Sequence, residues 1–236
     1  MRRSGTIPYS GAQWRSTVSS IVPISYAAPP RARHRMWRGP VKRATDIVLA
    51  LLLLASFAPV MLLAALAVRL ESPGPILFRQ QRIGLGNRGF EMLKLRTMRD
   101  HAPERGRCTQ TTRHDPRVTR VGAILRHTSL DELPQLLNVL RGEMSMVGPR
   151  PHAPGTCIDG IPFEMVAPDY AARHCVRPGM TGLAQVRGLR GAIDSEDRLL
   201  RRVAADLEYI DKQSAWLDAV ILVRTAISVL SMRNAF

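Results

Sequence analysis

The sequence is poor in cysteine and in aromatic residues, and each shortage excludes a class of protein. Its three cysteines, Cys108, Cys157 and Cys175, form no CxxC pair and cannot all pair with one another. A disulfide scaffold and a cysteine-based zinc site are therefore not expected, and a reducing compartment fits best. Cys157 and Cys175 are expected to pack without a chemical role, and the six histidines show no metal-ligand spacing.

Acidic residues are also scarce. The 236 residues contain 34 Lys and Arg against 19 Asp and Glu, which gives a net charge of +15. Such an excess predicts a polyanionic partner, which is nucleic acid, anionic lipid or a phosphorylated small substrate, and composition does not choose among them. The 45% hydrophobic content excludes a wholly disordered chain and is enough to form a core.

The first 45 residues contain no acidic residue, nine basic residues and five prolines. We interpret residues 1–41 as a disordered basic tail. A secretory signal is not expected, because the first long apolar run begins only after residue 46 and no small-residue cleavage site closes it. A transit peptide, which is also basic and poor in acid, stays open as an alternative.

Residues 47–68 carry no charge over 22 positions. A helix of that length measures about 33 Å at 1.5 Å per residue, which matches a hydrocarbon core of about 30 Å. The sequence therefore predicts a membrane helix over residues 42–71. Pro59 lies near its middle, after Ser56, and basic residues flank both ends, which favours the cytoplasmic side for both. A re-entrant helix and an ordinary span both remain open.

The remaining residues, 72–236, are predicted to form a domain that is mainly α with a small β-hairpin, of the α+β class. Apolar segments 76–78 and 90–95 flank a glycine-rich turn, and residues 115–141 suggest two helices separated near Thr128. Residues 142–190 are rich in Gly and Pro and predict loops. Residues 195–230 predict two helices that meet near Ser214. Six apolar residues of the second either rest on a membrane interface or pack into the core: Trp216, Leu217, Val220, Ile221, Val223 and Ile227.

The densest polar cluster is SLDELP at residues 129–134. Ser129 and Glu132 have the spacing of a capping box, so both side chains have a purely structural interpretation. With either Ser129 or Asp131 as N-cap, Asp131 lies at a helix N-terminus, where the helix dipole favours a carboxylate and a nearby phosphate. Asp131 would then attack phosphorus while Glu132 holds a divalent cation.

Five basic residues are candidate phosphate ligands. Lys94 and Arg96 alternate with leucines on a predicted strand and are expected to face the same way. Arg126 lies just before the acidic pair, and Arg150 and Arg177 lie in the proline-framed GPRP and RPG segments. Arginine in a rigid loop suits bidentate phosphate binding. Taken singly, each of these residues is more often a solvated surface charge.

Four spaced motifs resemble the bacterial sugar transferase family, the monotopic polyprenyl-phosphate phosphoglycosyltransferases that initiate exopolysaccharide and related glycans. They are KLRTM (94–98), SLDELPQLLNVLRGEMSMVGPRP (129–151), RPGMTGLAQV (177–186) and DLEYIDKQSAWLD (206–218), and FRQQRIG (78–84) adds to them. The resemblance runs from about Lys42 to the C-terminus in the family's short form. It does not cover residues 1–41.

The resemblance implies a re-entrant helix broken near a Ser-Pro, and a catalytic domain on the cytoplasmic face of the bacterial inner membrane. It implies that Asp131 attacks a UDP-sugar and releases UMP, and that polyprenyl phosphate then takes the sugar-phosphate. Glu132 is implied to be linked to Mg²⁺. The basic residues that match the family's active site are Lys94, Arg126 and Arg177, with Arg150 in the PRP motif. No nucleic-acid partner is implied, and a homo-oligomer stays open.

The sequence departs from the family's pattern at three places. Ser56 and Pro59 are not adjacent, Glu143 stands where Asp is common, and Arg187 stands where Asn is common. The first weakens the re-entrant interpretation, and the others affect sugar or nucleotide contacts. Two other functions remain as alternatives. One is a non-enzymatic basic membrane protein that binds anionic lipid or nucleic acid, and the other is a metal-dependent phosphohydrolase that uses the same two carboxylates.

Overall fold

The computed structural model describes residues 39–99 and 115–231. Most of the predicted tail over residues 1–41 lies outside these ranges. The described residues form a mixed α+β structure in which helices dominate and the sheets are small, as the sequence predicted. The predicted division at residues 41 and 71 stays a prediction.

The apolar run forms one helix, α1 (Pro40–Glu71), of 32 residues. Pro40 opens it at the first helical position, where the missing N–H needs no partner. Toward the N-terminus Ala50 is fully buried in the main core, and toward the C-terminus Ala64 and Val68 pack in a separate cluster of the same domain. Both ends of α1 therefore contact the folded domain.

The middle of α1 is different, because residues 55–60 are all exposed. Six successive helical residues point in all directions around the axis at 100° per residue, so no face of the helix is covered there. Pro59 lies within this segment. Among the described residues α1 is the one helix long and apolar enough to cross a membrane, with a mean hydropathy of 2.7 and 11% of that window buried.

The predicted hairpin is confirmed. Strand β1 (Leu77–Ile83) pairs antiparallel with β2 (Gly89–Leu95), in a register that joins Leu77 to Leu95 and Ile83 to Gly89. A 3₁₀ turn (Leu85–Asn87) connects them, with positive φ at Gly86 and Asn87. The side of β2 that carries Phe90 and Met92 packs into the main core, which fixes the hairpin against the rest of the domain.

The two predicted helices of residues 115–141 are also confirmed. Helix α2 (Arg120–His127) is capped by Thr119, whose hydroxyl accepts from the Gly122 N–H at 2.9 Å. A 3₁₀ turn (Leu130–Glu132) follows, and α3 (Gln135–Arg141) ends at Gly142, whose φ of 84° is the left-handed conformation of a C-cap. The connecting 3₁₀ turn is the segment that carries the acidic pair.

Residues 142–190 are mostly loops with short elements. Strand β3 (Ser145–Val147) pairs in parallel with β6 (Gly179–Thr181), and β4 (Cys157–Ile158) pairs with β5 (Ile161–Pro162). The short helices are α4 (Phe163–Val166), a 3₁₀ helix (Tyr170–Cys175) and α5 (Leu183–Val186). These strands were not predicted, because two or three residues are too few to show an alternating pattern. Cys157 is disulfide-bonded, which corrects the expectation that it packs without a chemical role.

The C-terminal pair of helices is confirmed. Helix α6 (Glu196–Lys212) and helix α7 (Ala215–Leu230) meet at Ser214, whose hydroxyl accepts from the Leu217 N–H. Of the two alternatives for the apolar residues of α7, core packing is confirmed for Ile221, and a membrane interface stays a prediction for the exposed residues. Ile221 is fully buried in the core, whereas Trp216, Val223 and Ile227 are exposed.

A buried polar network joins the start of α1 to the last two helices. Lys42 Nζ lies 2.6 Å from Asp218 Oδ2 of α7, and both side chains are largely buried. Tyr209 of α6 donates to the same carboxylate at 2.8 Å and lies 3.0 Å from the Val147 carbonyl of β3. Asp46 accepts from the Met146 N–H at 3.1 Å. These contacts place the N-terminal end of α1 against β3 and the start of α7.

Candidate active site

The acidic pair lies in the 3₁₀ turn between α2 and α3, and not at the N-terminus of an α-helix. Pro134 occupies the N-cap position of α3, and the Ser129 side chain makes no capping hydrogen bond. The capping-box interpretation is therefore wrong, and neither Ser129 nor Asp131 caps an α-helix; Ser129 instead occupies the N-cap position of the 3₁₀ turn. Pro134 rules out an α-helix capped by Ser129, because its missing N–H would then fall within the helix. With Asp131 as N-cap Pro134 would be tolerated at the third helical position, and there the 3₁₀ geometry of residues 130–132 is what displaces the start of the α-helix. Ser129 has a left-handed backbone with φ of 58°, which turns the chain immediately before Asp131.

Glu132 is held firmly by two cations. Lys94 Nζ lies 2.7 Å from its Oε1, while the Arg150 guanidinium donates to Oε1 at 2.5 Å and to Oε2 at 3.2 Å. This two-oxygen contact has the fork geometry in which arginine recognises a carboxylate. Burial by itself would raise the pKa of Glu132, but the charges of Arg150 and Lys94 outweigh it and hold that pKa well below its usual range.

Asp131 is buried but much less constrained. The residue is 6% exposed, and its nearest cation among the described residues is Lys94, whose Nζ lies 3.9 Å from Oδ2. Burial raises the pKa of Asp131, and Lys94 opposes that rise. Adjacent carboxyls thus have opposite pKa shifts: Glu132 is bound in a fixed ion pair, whereas Asp131 keeps oxygen lone pairs for another partner.

Arg126 is the third cation that the structure brings to the pair. Its side chain extends from the last turn of α2, and Nε donates to the Thr97 hydroxyl at 2.8 Å. Burial lowers the pKa of Arg126, and the nearby Asp131 carboxylate raises it. Lys94, Arg126 and Arg150, three of the five predicted basic residues, therefore surround the two carboxylates.

The other two predicted basic residues contact other parts of the fold. Arg96 is buried and donates to the carbonyls of Ser72 and Pro73, both at 2.6 Å, so it closes the C-terminal end of α1. Arg177 is exposed, and its Nε donates to the Gly142 carbonyl at 2.9 Å, at the end of α3. The structure does not bring either side chain to the acidic pair, and their role in substrate binding stays a prediction.

Sequence reasoning missed several charged residues that pack around the same loops. Arg173 and Arg202 are buried, and Arg82 is partly buried, beside the segment that carries Arg150. Arg190 also lies near this segment, and burial together with the charge of Arg150 lowers the pKa of Arg190. In the sequence they resemble any other arginines of a basic chain. One available signal was position, because Arg82 lies in the FRQQRIG segment and Arg173 just before the RPG motif.

The donor set suits a divalent cation only in part. The described ranges contain no group of three or more His, Cys, Asp or Glu residues that would hold a metal by themselves. Mg²⁺ is commonly bound by one or two carboxylates together with substrate phosphates. Three of the roughly four lone-pair positions of Glu132 receive Lys94 and Arg150, which leaves one, and Asp131 keeps its own. The pair thus fits a cation that arrives with a phosphate substrate.

Comparison with known proteins shows the family to which this chain belongs. The model of the family described as bacterial sugar transferase matches residues 37–232, which include α1 and every element of the candidate site. The chain belongs to the bacterial sugar transferase family.

Its relatives carry closely related names. A UDP-glucose:undecaprenyl-phosphate glucose-1-phosphate transferase of Caulobacter vibrioides is 56% identical over 197 residues, which cover 83% of this chain and 72% of that protein. The exopolysaccharide production protein PSS of Rhizobium leguminosarum is 47% identical over 83% of this chain and 98% of its own length. An undecaprenyl-phosphate glucose phosphotransferase of Komagataeibacter xylinus is 48% identical over 93% of this chain. This chain covers only 41% of that longer relative.

Proposed function

We propose that this chain transfers a sugar-1-phosphate from a UDP-sugar to undecaprenyl phosphate through a phospho-sugar intermediate on Asp131. An Asp131 oxygen attacks the phosphorus that carries the sugar, the bond from that phosphorus to the UMP oxygen breaks, and UMP leaves. A phosphate oxygen of undecaprenyl phosphate then attacks the same phosphorus. The bond to Asp131 breaks, and the product is undecaprenyl-diphosphate-sugar.

The observation that carries this proposal is the contrast between the two carboxylates. Glu132 is fixed by Lys94 and Arg150, whereas Asp131 is buried with its nearest cation at 3.9 Å. A nucleophile needs an oxygen that is not already in a close ion pair. Lys94 and Arg126 flank Asp131, where they would neutralise the phosphates that must approach it.

We assign Mg²⁺ to Glu132, with the remaining ligands coming from the substrate phosphates. When bound, the ion supplies positive charge that stabilises the departing UMP phosphate. The residues of this chain supply the rest. Arg150 and Lys94 hold the orientation of Glu132, and the burial of Asp131 limits the access of water to the phosphorus of the intermediate that it would carry.

We propose further that α1 enters the cytoplasmic membrane, bends near Pro59 and leaves by the same, cytoplasmic, face. A straight helix of 32 residues would be about 48 Å long, and one lying along the domain would keep one covered face throughout. Instead, both ends of α1 pack on the domain, and residues 55–60 are exposed on every side. UDP-sugars are cytosolic, and this supports a catalytic domain on the cytoplasmic side.

The relatives' names favour glucose as the sugar. The test is to incubate membranes containing the full chain with undecaprenyl phosphate and, separately, UDP-glucose, UDP-galactose and UDP-N-acetylgalactosamine. We expect UMP release to be fastest with UDP-glucose and to depend on the lipid phosphate. Release of free sugar phosphate or sugar without a lipid product would indicate a phosphohydrolase instead. No UMP with any donor would refute the proposed transfer.

A further inference from the structure

The segment that carries Arg150 is held by an unusually complete set of hydrogen bonds. The four successive carbonyls of residues 149–152 each accept from a different donor. The donors are the Gly179 N–H, Arg173 Nη2, Arg82 Nη1 and the Ile83 N–H, at 2.9, 2.9, 3.1 and 3.1 Å in chain order. Pro149 and Pro151 also fix two of the φ angles. This segment has little freedom left.

Arg173 is the centre of that set. It is 1% exposed, and its Nε and Nη2 lie 2.8 and 2.7 Å from Asp206 Oδ2 of α6. Nη2 also donates to the Arg150 carbonyl, and Nη1 lies 3.2 Å from Nδ1 of His152. The Arg173 guanidinium therefore joins α6 to the backbone of Arg150 and to the side chain of His152.

In the part of the chain that the structure describes, the cluster of side chains around Arg173 contains three arginines and only one acidic residue that contacts Arg173. Arg173 and Arg202 are buried, and Arg82 is partly buried, around His152, and Asp206 is the acid that contacts Arg173. Burial lowers the pKa of both Arg82 and Arg202 to about 10. Buried charges are costly, and apolar packing often stabilises a core at least as well. The use of arginines here is better explained by their ability to donate to several fixed carbonyls at once.

We propose that Arg173 is a positioning residue, which fixes the Arg150 backbone so that the Arg150 guanidinium grips Glu132 and leaves Asp131 unpaired for attack. The proposal rests on the function proposed above. Its geometric basis is that Arg173 binds the carbonyl of the very residue whose side chain makes the two-oxygen contact with Glu132. The effect of Arg173 on catalysis therefore runs through Arg150.

The test is a double-mutant cycle with Arg173→Lys and Arg150→Lys. Lysine keeps a positive charge at both positions, but a single ammonium cannot reproduce the contacts that the Arg173 guanidinium makes with Asp206, the Arg150 carbonyl and His152. The readouts are kcat and KM for UMP release with UDP-glucose and undecaprenyl phosphate in detergent, together with the melting temperature of each variant.

We expect Arg173→Lys alone to lower kcat about tenfold or more with a smaller change in KM, because an interaction that supports the transition state is lost. In the Arg150→Lys background the same change should lower kcat by less than about twofold, because residues that act as a unit are not additive. If the full loss persists in that background, or if kcat is unchanged, the positioning role is refuted.

Arg43→Lys is the matched control. Arg43 is likewise an arginine that binds two backbone carbonyls, those of Val139 at 2.6 Å and Leu140 at 2.9 Å, but at the far end of α3. Any loss of kcat that Arg43→Lys causes should be the same with and without Arg150→Lys. If Arg173→Lys does not fold, Asp206→Asn replaces it in the cycle, because it weakens the anchor of Arg173 and leaves its donors in place. Wild-type enzyme without activity on any UDP-sugar would instead count against the proposed function.

Discussion

The Arg150 loop, residues 149–152, and the middle of α1, residues 55–60, are in opposite surroundings. In the loop, every carbonyl of residues 149–152 has a donor from the protein itself, and the neighbouring His152 side chain is buried. In α1, residues 55–60 have no covered face, and the exposed side chains there are apolar or small. The polar groups of the loop are hydrogen-bonded within the protein, whereas the apolar side chains of the α1 segment are not packed against the domain. Changes in the two regions should therefore affect different measurements.

The largest expected effect is on chemistry alone. Asp131→Asn should reduce transfer by at least about 10³-fold, because an amide does not act as an ionised nucleophile. Membrane association should be unchanged, since it depends on α1. The measurements are UMP release and the fraction of protein that sediments with membranes. Asp197→Asn, which removes an exposed carboxylate from α6, is the control and should keep full activity. Activity near the wild-type rate in Asp131→Asn would contradict the assigned role.

A somewhat smaller loss is expected at the neighbouring carboxyl. Glu132→Gln should lower kcat by about 10²-fold, because the neutral amide no longer balances Lys94 and Arg150 and binds a divalent cation poorly. Excess EDTA should stop the wild-type enzyme, and added Mg²⁺ should restore it fully but restore Glu132→Gln only in part. Glu91→Gln on the exposed side of the hairpin provides the matched control. Undiminished turnover in EDTA would rule out the cation requirement.

The stability of the packed loops should depend on pH through His174. Burial, together with Arg173, lowers the pKa of His174 from 6.5 to about 3, so the folded protein binds fewer protons there than the unfolded chain below pH 6.5. Acid should therefore favour unfolding, by about 2 kcal/mol from this group between pH 6.5 and 5. His174→Gln should remove that part of the pH dependence, as measured by denaturant unfolding at each pH. An identical pH dependence in both proteins would show that His174 is not buried in its neutral form.

The smallest effect is expected at the bend, where only part of the population should respond. Pro59→Leu restores a helix able to span about 30 Å, but the basic residues Lys42 and Arg43 oppose transfer of the N-terminal side across the membrane. Cysteines engineered within residues 30–40 should resist external labelling in the unmodified protein and become partly labelled in Pro59→Leu. External labelling without the substitution would contradict the re-entrant topology and indicate a conventional span.

Much of this organisation could be predicted where the sequence has a strong local pattern. The hairpin, the split at Thr128 and the helix junction at Ser214 each follow from periodicity or turn residues, and the structure confirms them. The long uncharged run likewise predicted α1.

Partners distant in sequence could not be predicted in the same way. Arg96 was grouped with Lys94 by strand alternation, yet it donates to the end of α1 because it lies just beyond β2. For Arg173 the one local signal is its position just before the RPG motif, which does not reveal its partners, because they are Asp206 and a loop more than twenty residues earlier. The start of α3 was misplaced because the 3₁₀ turn and Pro134 separate the acidic pair from the helix.

The buried contact between Lys42 and Asp218 has a consequence for the order of events during synthesis. The two residues are 176 positions apart, so α1 is complete long before α7 exists. At about 5 to 20 residues per second, that interval lasts roughly ten seconds or more. During it Lys42 has no Asp218 to pair with, and its charge is best kept in water. The contact between α1 and α7 can therefore form only after the whole chain is made, and the last helix completes the fold around an α1 that was synthesised first.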